Sequence, residues 1–432
     1  MSGSHLRQSI RMRHIVAIGV GSSLGVSIFG VLGPAASIAG PALLVSLVIA
    51  AVPMGLFAFL YAYLSSVSPA SGASFVWPTR FLGARMGFAI AWLRIVGSVA
   101  AIVQHGAVLA RYVVPVLPVH LSDRSLMIGL FSVLYLANIR GAGNAARVQA
   151  WLTTGLVVLL SLFALLACRH MTVGHFQPFA PQGFHGVLLA VPVLVGLFTG
   201  IEFAAEMGEE IRNVGRVIAP GLAIAIAIVL GVYVVVALTT IGVEGAALAT
   251  SRAPLLDAAR VFLGDKAGFF IGLAATISIV TSLNGVFLIF SRFLFAMGRS
   301  GVLPASLGTI HPRWQTPHVA MTVVFVLSII GAFLPNDLLF LFLAVNIPTM
   351  LKYATNSVCA IRAARSGMMS NVQSGFRPRP QTVSVVGTLA IVSALLIAIL
   401  GTVSDWRPYA VLAVWGLVGM IVWRFRRRIP QV

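Results

Sequence analysis

Charge is what this sequence has least of: Asp, Glu, Lys and Arg make up only 9% of its 432 residues, where a soluble domain has about 25%. With 59% hydrophobic residues and so few charges, a water-facing surface cannot be assembled. Acidic residues are scarcest, ten against twenty-nine basic ones, and only two of the basic residues are lysine. The net charge of +19 does not point to nucleic acid. A phosphate-binding groove needs Lys and Arg clustered on one soluble face, whereas here they stand in small groups between apolar runs. Cysteine is almost absent: Cys168 and Cys359 lie in or beside separate apolar segments, so no disulfide framework is expected. There is no His-Glu-x-x-His or similar set and no nucleophile paired with a base at a recognisable spacing. Neither a metal, a cofactor nor an enzymatic reaction is therefore expected. The alternation of a barrel strand is missing too, which leaves helices to satisfy the backbone in lipid.

What the chain does have is long apolar runs. A bilayer core of about 30 Å takes about 20 residues of helix, and the runs predict twelve spans near 15–38, 41–65, 86–114, 123–139, 148–168, 184–208, 217–241, 268–291, 318–335, 338–360, 382–402 and 408–423. The first starts at Ile15 and lacks a small-residue cleavage site, so it reads as a retained span. Basic residues concentrate in cytoplasmic loops. Twenty of the twenty-nine fall before the first span, in alternate loops and in the tail, among them Arg11, Arg80, Arg140, Arg212, Arg299, Arg362 and Arg424. The expected protein is a multi-pass protein of the cytoplasmic membrane with both termini cytoplasmic and the lipid bilayer as its solvent.

Two spans are poor helices. The first carries Gly19, Gly21, Ser22, Ser23, Gly25, Ser27 and Gly30, with Gly33 and Pro34 beyond; the sixth is interrupted at Gly196-Leu197-Phe198-Thr199-Gly200, just before Glu202. Glycine costs about 1 kcal/mol per residue in a helix relative to alanine, and small residues let the backbone leave helical geometry where it lines a cavity. Spans 1 and 6 each open a group of five, and an odd number makes the second group cross in the opposite sense, as an inverted repeat requires. Such transporters bind substrate near the midplane, where helix N-termini attract an anionic group and freed carbonyls a cationic one. An amino acid zwitterion offers both.

Four of the ten acids fall within nine positions, Glu202, Glu206, Glu209 and Glu210, and helical spacing puts Glu202, Glu206 and Glu209 or Glu210 near one face. A carboxylate in the bilayer faces a polar cavity or a partner, so Glu202, next to the break, is the first candidate for proton titration or gating. Glu209 and Glu210 read as an ion-pair surface with Arg212 and Arg216, and Glu206 stands open between the two roles. Further polar residues inside spans are Arg94, His105, Arg111, Asn284, Asn346 and Lys352. His105 reads either as a hydrogen-bonded core residue or as a proton carrier, and Lys352 either snorkels or pairs with a carboxylate.

At these residues the chain resembles the amino acid, polyamine and organocation transporter superfamily over nearly its whole length. Gly21 to Gly33 looks like that family's broken first helix. Pro69-Ala-Ser71-Gly72-Ala-Ser-Phe75 resembles its loop after span 2, and Gly200-Ile-Glu202 with Glu209-Glu210-Ile-Arg-Asn213 its sixth helix. Ser291-Arg292 through Pro304, with His311-Pro312 and Thr316-Pro317, is similar to its loop after span 8. The resemblance implies an all-α inverted 5+5 repeat plus two helices, and alternating access. Residues 15–168 and 184–360 would be the repeats, 382–423 the added helices, and 1–14, 361–381 and 424–432 cytoplasmic.

By that likeness Gly21, Ser22, Ser23, Gly25, Val26, Ser27 and Ile28 would form the substrate site with Gly196, Phe198, Thr199, Gly200 and Glu202. Amides at Val26 to Ile28 would meet a carboxylate, and carbonyls at Ser22, Ser23, Phe198 and Thr199 an ammonium. Coupling or gating would fall to Glu202, Glu206, His105, Thr281, Ser282 and Lys352, with Thr281 and Ser282 open to holding sodium or to packing helices. Three positions depart from the pattern: Ser27 replaces a glycine, Tyr63 a glutamate and Val214 a proline. The lysine common in span 5 is missing, with Leu156 near its place, so exchange, sodium coupling or a proton on Glu202 remains. The expected function is a permease for amino acids or related amines. A non-transporting sensor or scaffold is the alternative, and no sizeable soluble output domain supports it.

Overall fold

Lipid-facing helices need apolar residues on the outside as well as the inside, and α-helices satisfying their own backbone are what the chain forms. The computed structural model describes residues 10–70, 72–116, 121–139, 145–208, 211–314, 316–333, 337–366 and 375–425. Its α-helices are α1 (Met12–Ser23), α2 (Val26–Ala39), α3 (Leu43–Val67), α4 (Ala73–Leu82), α5 (Ala84–Val113), α6 (Asp123–Ile139), α7 (Ala145–Ala167), α8 (Gly183–Leu194), α9 (Val214–Glu244), α10 (Pro254–Leu263), α11 (Ala267–Arg299), α12 (His318–Ala332), α13 (Leu338–Arg365), α14 (Pro380–Ser404) and α15 (Arg407–Phe425). Among the described residues there is no β-strand, only one isolated bridge between Ile10 and Ile211, and eight segments are long and apolar enough to cross a membrane.

α14 shows how sequence sets the packing. Val385, Leu389, Val392, Leu396, Ile399 and Val403 recur at helical spacing and are exposed, as a lipid face requires. Val383, Gly387, Ala390, Ala394, Ile397 and Gly401 are buried on the other face. Small residues admit close backbone approach in membrane helices: a Cβ at Gly387 would stand 2.7 Å from Ile361 on α13. Two short helices arise where no span was expected. α4 starts after Gly72 at φ 73°; α10 starts at Pro254 and stops at Gly264, φ 55°. These residues favour helix starts and stops.

The first expected break is present. α1 stops at Ser23 and α2 restarts at Val26, with Leu24 and Gly25 between them. A side chain at Gly25 would collide with Ser282 of α11, so a close approach keeps that position bare. The second interruption corrects the sequence reading. Span 184–208 was expected to resume as a helix carrying Glu202 and Glu206 on one face, but α8 ends at Leu194 and only tight 3-10 turns follow, at Val195–Phe198 and Ile201–Ala204. Gly200, at a φ of 109°, separates the two turns; Glu202 and Glu206, on a 3-10 turn and the residues just after it rather than on an α-helix, turn to different partners. Glu209, Glu210 and Ser71 lie outside the described residues.

Gly200 is also packed on the first break: a Cβ there would lie 2.8 Å from the Ser22 Cβ. Gly200→Ala is expected to cost about 1–3 kcal/mol through its backbone conformation alone, read as a lowered midpoint of thermal unfolding in detergent. Gly231→Ala, where a Cβ meets nothing, should leave that midpoint unchanged or slightly raised.

Candidate functional site

The two interruptions lie against each other, and the carbonyls they release are met by side chains. Tyr233 of α9 donates its hydroxyl to Ser23 O in a very short bond and lies 3.1 Å from Leu197 O, so one phenol spans both breaks. Ser278 Oγ of α11 donates to Leu24 O at 2.7 Å. Ser282 Oγ, one turn further, reaches Ser22 O at 3.3 Å, and Ser23 Oγ reaches Thr199 O at 3.4 Å. Backbone groups without water must find such partners.

Beside the breaks lies a cavity of about 80 Å³, several times the ~10–15 Å³ that one water needs. Ser22, Gly196, Thr199 and Glu202 line it from the broken segments, Arg94, Gln104 and His105 from α5, Ser282 and Phe290 from α11, and Asn346 and Lys352 from α13. Gly196 makes room for Asn346, whose amide would lie 2.8 Å from a Cβ at that position. Asn346 Nδ2 donates to Pro192 O at 2.9 Å, while its buried Oδ1 has no partner among the described residues.

Two ion pairs adjoin the cavity. Lys352 Nζ stands 2.8 Å from Glu202 Oε1, both side chains over nine-tenths buried. Gly200 N donates to the other Glu202 oxygen at 2.9 Å, and the ammonium sits 4.6 Å from the Tyr353 ring centroid. Of the two roles open to Lys352, pairing is the one observed. The pair leaves the Glu202 charge already met. Arg94 Nη1 lies 3.4 Å from Glu206 Oε1. Glu206 is held more closely by Ser74, whose N–H donates to Oε2 at 3.0 Å and whose hydroxyl makes a very short bond to Oε1. Glu206 thus ties the start of α4 to α5 and does not line the cavity.

The remaining candidates divide. His105 is buried, with Nδ1 2.6 Å from Ala101 O and Nε2 2.9 Å from Ser282 Oγ. Thr281 spends its hydroxyl on Ile277 O of its own helix, as membrane Thr residues do. The Phe198 ring is buried edge-on to Tyr233, centroids 6.0 Å apart, and does not line the cavity. Gly21 is buried in α1 and Ile28 in α2. The side chains of Val26 and Ser27 lie outside the described residues. Sequence reasoning missed Tyr233 and Ser278. A tyrosine hydroxyl inside the apolar run 217–238 of α9 was the available signal, since a buried phenol needs an acceptor.

Removing one member of a buried pair leaves an uncompensated charge, worth about 3–5 kcal/mol. Lys352→Met should lower thermal stability in detergent by about that much, and adding Glu202→Gln should recover most of the loss. A double variant as unstable as the single one would refute the pairing.

The comparisons with known proteins agree with this architecture. The family described as amino acid permease matches residues 10–404. An uncharacterised transporter of Mycobacterium tuberculosis is 33% identical over 74% of this chain and 72% of its own length. A branched-chain amino acid permease of Bacillus subtilis is 26% identical over 97% of this chain and 92% of its own. A vacuolar cationic amino acid transporter of Arabidopsis thaliana is 27% identical over 83% of this chain and 64% of its own. The chain is therefore a multi-pass membrane protein with a transporter's role rather than an enzyme's, and it belongs to the amino acid permease family.

Proposed function

We propose that the protein is a secondary active permease that moves amino acids or related amines across the cytoplasmic membrane by alternating access. The observation that carries this reading is the polar cavity in which Ser22, Gly196, Thr199 and Glu202 of the two interrupted segments meet α5, α11 and α13. An apolar bundle has no reason to keep such a hollow unless something polar occupies it. In this reading the twelve spans form two inverted groups of five, 15–168 and 184–360, followed by 382–423. Residues 1–14, 361–381 and 424–432 face the cytoplasm.

A substrate ammonium docks on the carbonyls of Ser22 and Thr199, where only the long contacts from Ser282 and Ser23 compete. A carboxylate docks on the amides that open α2, at Val26 to Ile28. The substrate side chain then lies along Gly196 and Asn346. With Glu202 engaged by Lys352, the cavity carries no unneutralised carboxylate to select a cationic side chain. Relatives named for branched-chain and for cationic amino acids support amino acids as a class without choosing between them. Glu202–Lys352 and Arg94–Glu206 are the gating pairs of this reading, since each joins a different helix to the chain that follows the second break.

Proteoliposomes carrying the purified protein should take up or exchange a labelled amino acid, chosen by a thermal-shift screen of the twenty amino acids and common polyamines. A bound ligand stabilises the folded state by mass action. Glu202→Gln should cut the rate by about tenfold or more, equivalent to about 1.4 kcal/mol of lost stabilisation; Ser27→Ala should alter affinity. No flux and no stabilising ligand would favour the scaffold alternative.

A further inference from the structure

His105 and Ser282 share one feature that the permease reading does not use: between them they have fewer hydrogens than acceptors to serve. His105 is 5% exposed on α5 and borders the cavity. Its Nδ1 lies 2.6 Å from the carbonyl of Ala101. A carbonyl only accepts, so Nδ1 carries a hydrogen whatever the ring's charge. In the neutral ring Nε2 is then bare, and its neighbour is Ser282 Oγ at 2.9 Å. The Ser282 hydroxyl has a single hydrogen and two acceptors in reach, His105 Nε2 and Ser22 O at 3.3 Å. The shorter distance goes to the imidazole.

We infer that His105 is a proton site linked to the substrate site: a proton taken up at Nε2 turns the Ser282 hydroxyl onto the Ser22 carbonyl, so that the proton and the cationic head of a substrate exclude one another at the first helix break. One proton enters from the cavity and binds the Nε2 lone pair. The new N–H donates to Ser282 Oγ, and the hydroxyl hydrogen passes from Nε2 to the carbonyl already beside it. No heavy-atom bond changes. In the neutral state Ser22 O is open to an ammonium; in the charged state it is occupied. The inference rests on the proposed use of that carbonyl by the substrate.

The surroundings suit such a relay. Ser282 is held over the break because Gly25 leaves it no side chain to displace it. Three charged groups share the cavity with His105. Arg94, from the same helix, pairs with Glu206, and Lys352 of α13 pairs with Glu202. α2, and α11 from Ala267 to Ser291, carry no ionisable side chain. α6 meets α5 next to His105 through Met127 and Phe131, and α12 meets it through Gly331. Charge gained by the imidazole therefore stays on the ring without a counter-ion beside it, and the reversed hydrogen bonds carry its effect to the Ser22 carbonyl, where the substrate's own charge belongs.

Two measurements test this. Nitrogen-15 NMR of the histidine-labelled protein in micelles, with His105→Gln to identify the signal, should show the neutral ring protonated at Nδ1 and bare at Nε2. A neutral ring protonated at Nε2 overturns the inference. In the second, the binding constant of a transported amino acid or amine is followed through the His105 titration. It should weaken on the acid side by up to about tenfold per pH unit, the limit for mutually exclusive ligands. His105→Gln should flatten that slope, and Ser282→Ala, which keeps the ring but removes the hydroxyl, should reduce it. A flat wild-type profile, or a wild-type slope in His105→Gln, overturns the inference. If no ligand binds at any pH while the NMR titration shows the tautomer expected, the permease reading fails and the proton relay stands.

Discussion

A main chain inside lipid has no water to bond, and the rest of this structure follows from that constraint. Continuous helices meet it automatically; two interrupted ones do not. The chain answers by bringing hydroxyls from otherwise apolar helices to the gaps. Ser278 of α11 takes the Leu24 carbonyl and Tyr233 of α9 takes the Ser23 carbonyl and reaches Leu197 O. The breaks persist because their polar groups have partners, and they stay close because a single side chain serves both.

The same medium governs the charges. Lys352 and Glu202 face each other at 2.8 Å with a backbone amide and an aromatic face completing their shells. Arg94 and Glu206 are joined more loosely, with Ser74 holding the carboxylate. A buried pair is weak support for stability but a strong constraint on geometry, since neither partner can leave alone without large cost. Pairs that open only together are well suited to gating.

Much of this was legible in the sequence, for physical reasons that can be named. Helix ranges follow from apolar length, and α6 falls on the 123–139 run as read. The first break was visible because Gly25, Ser22 and Ser23 make a poor helix, and the second because Gly196 and Gly200 bracket a short stretch. What followed Gly200 was misread: a regular helix was expected from Glu202 onward, where the chain forms a 3-10 turn at Ile201–Ala204 and the next α-helix starts at Val214. The pairing of Lys352 with Glu202 was one of two open readings, because a lysine's reach says nothing about which helix stands opposite. Tyr233 and Ser278 went unread since their roles depend on helix neighbours, not on local pattern. α4 and α10 were passed over because helices of ten residues are too short to register as spans.

The phenol of Tyr233 has a mechanical consequence. Its hydroxyl touches Ser23 O on one interrupted segment and Leu197 O on the other. Its one hydrogen goes to Ser23 O, the nearer acceptor, so sliding the first segment away strips that oxygen of its proton donor. The two interrupted segments are thus tied at one point by a single side chain of α9, and a change at that hydroxyl reaches both of them at once.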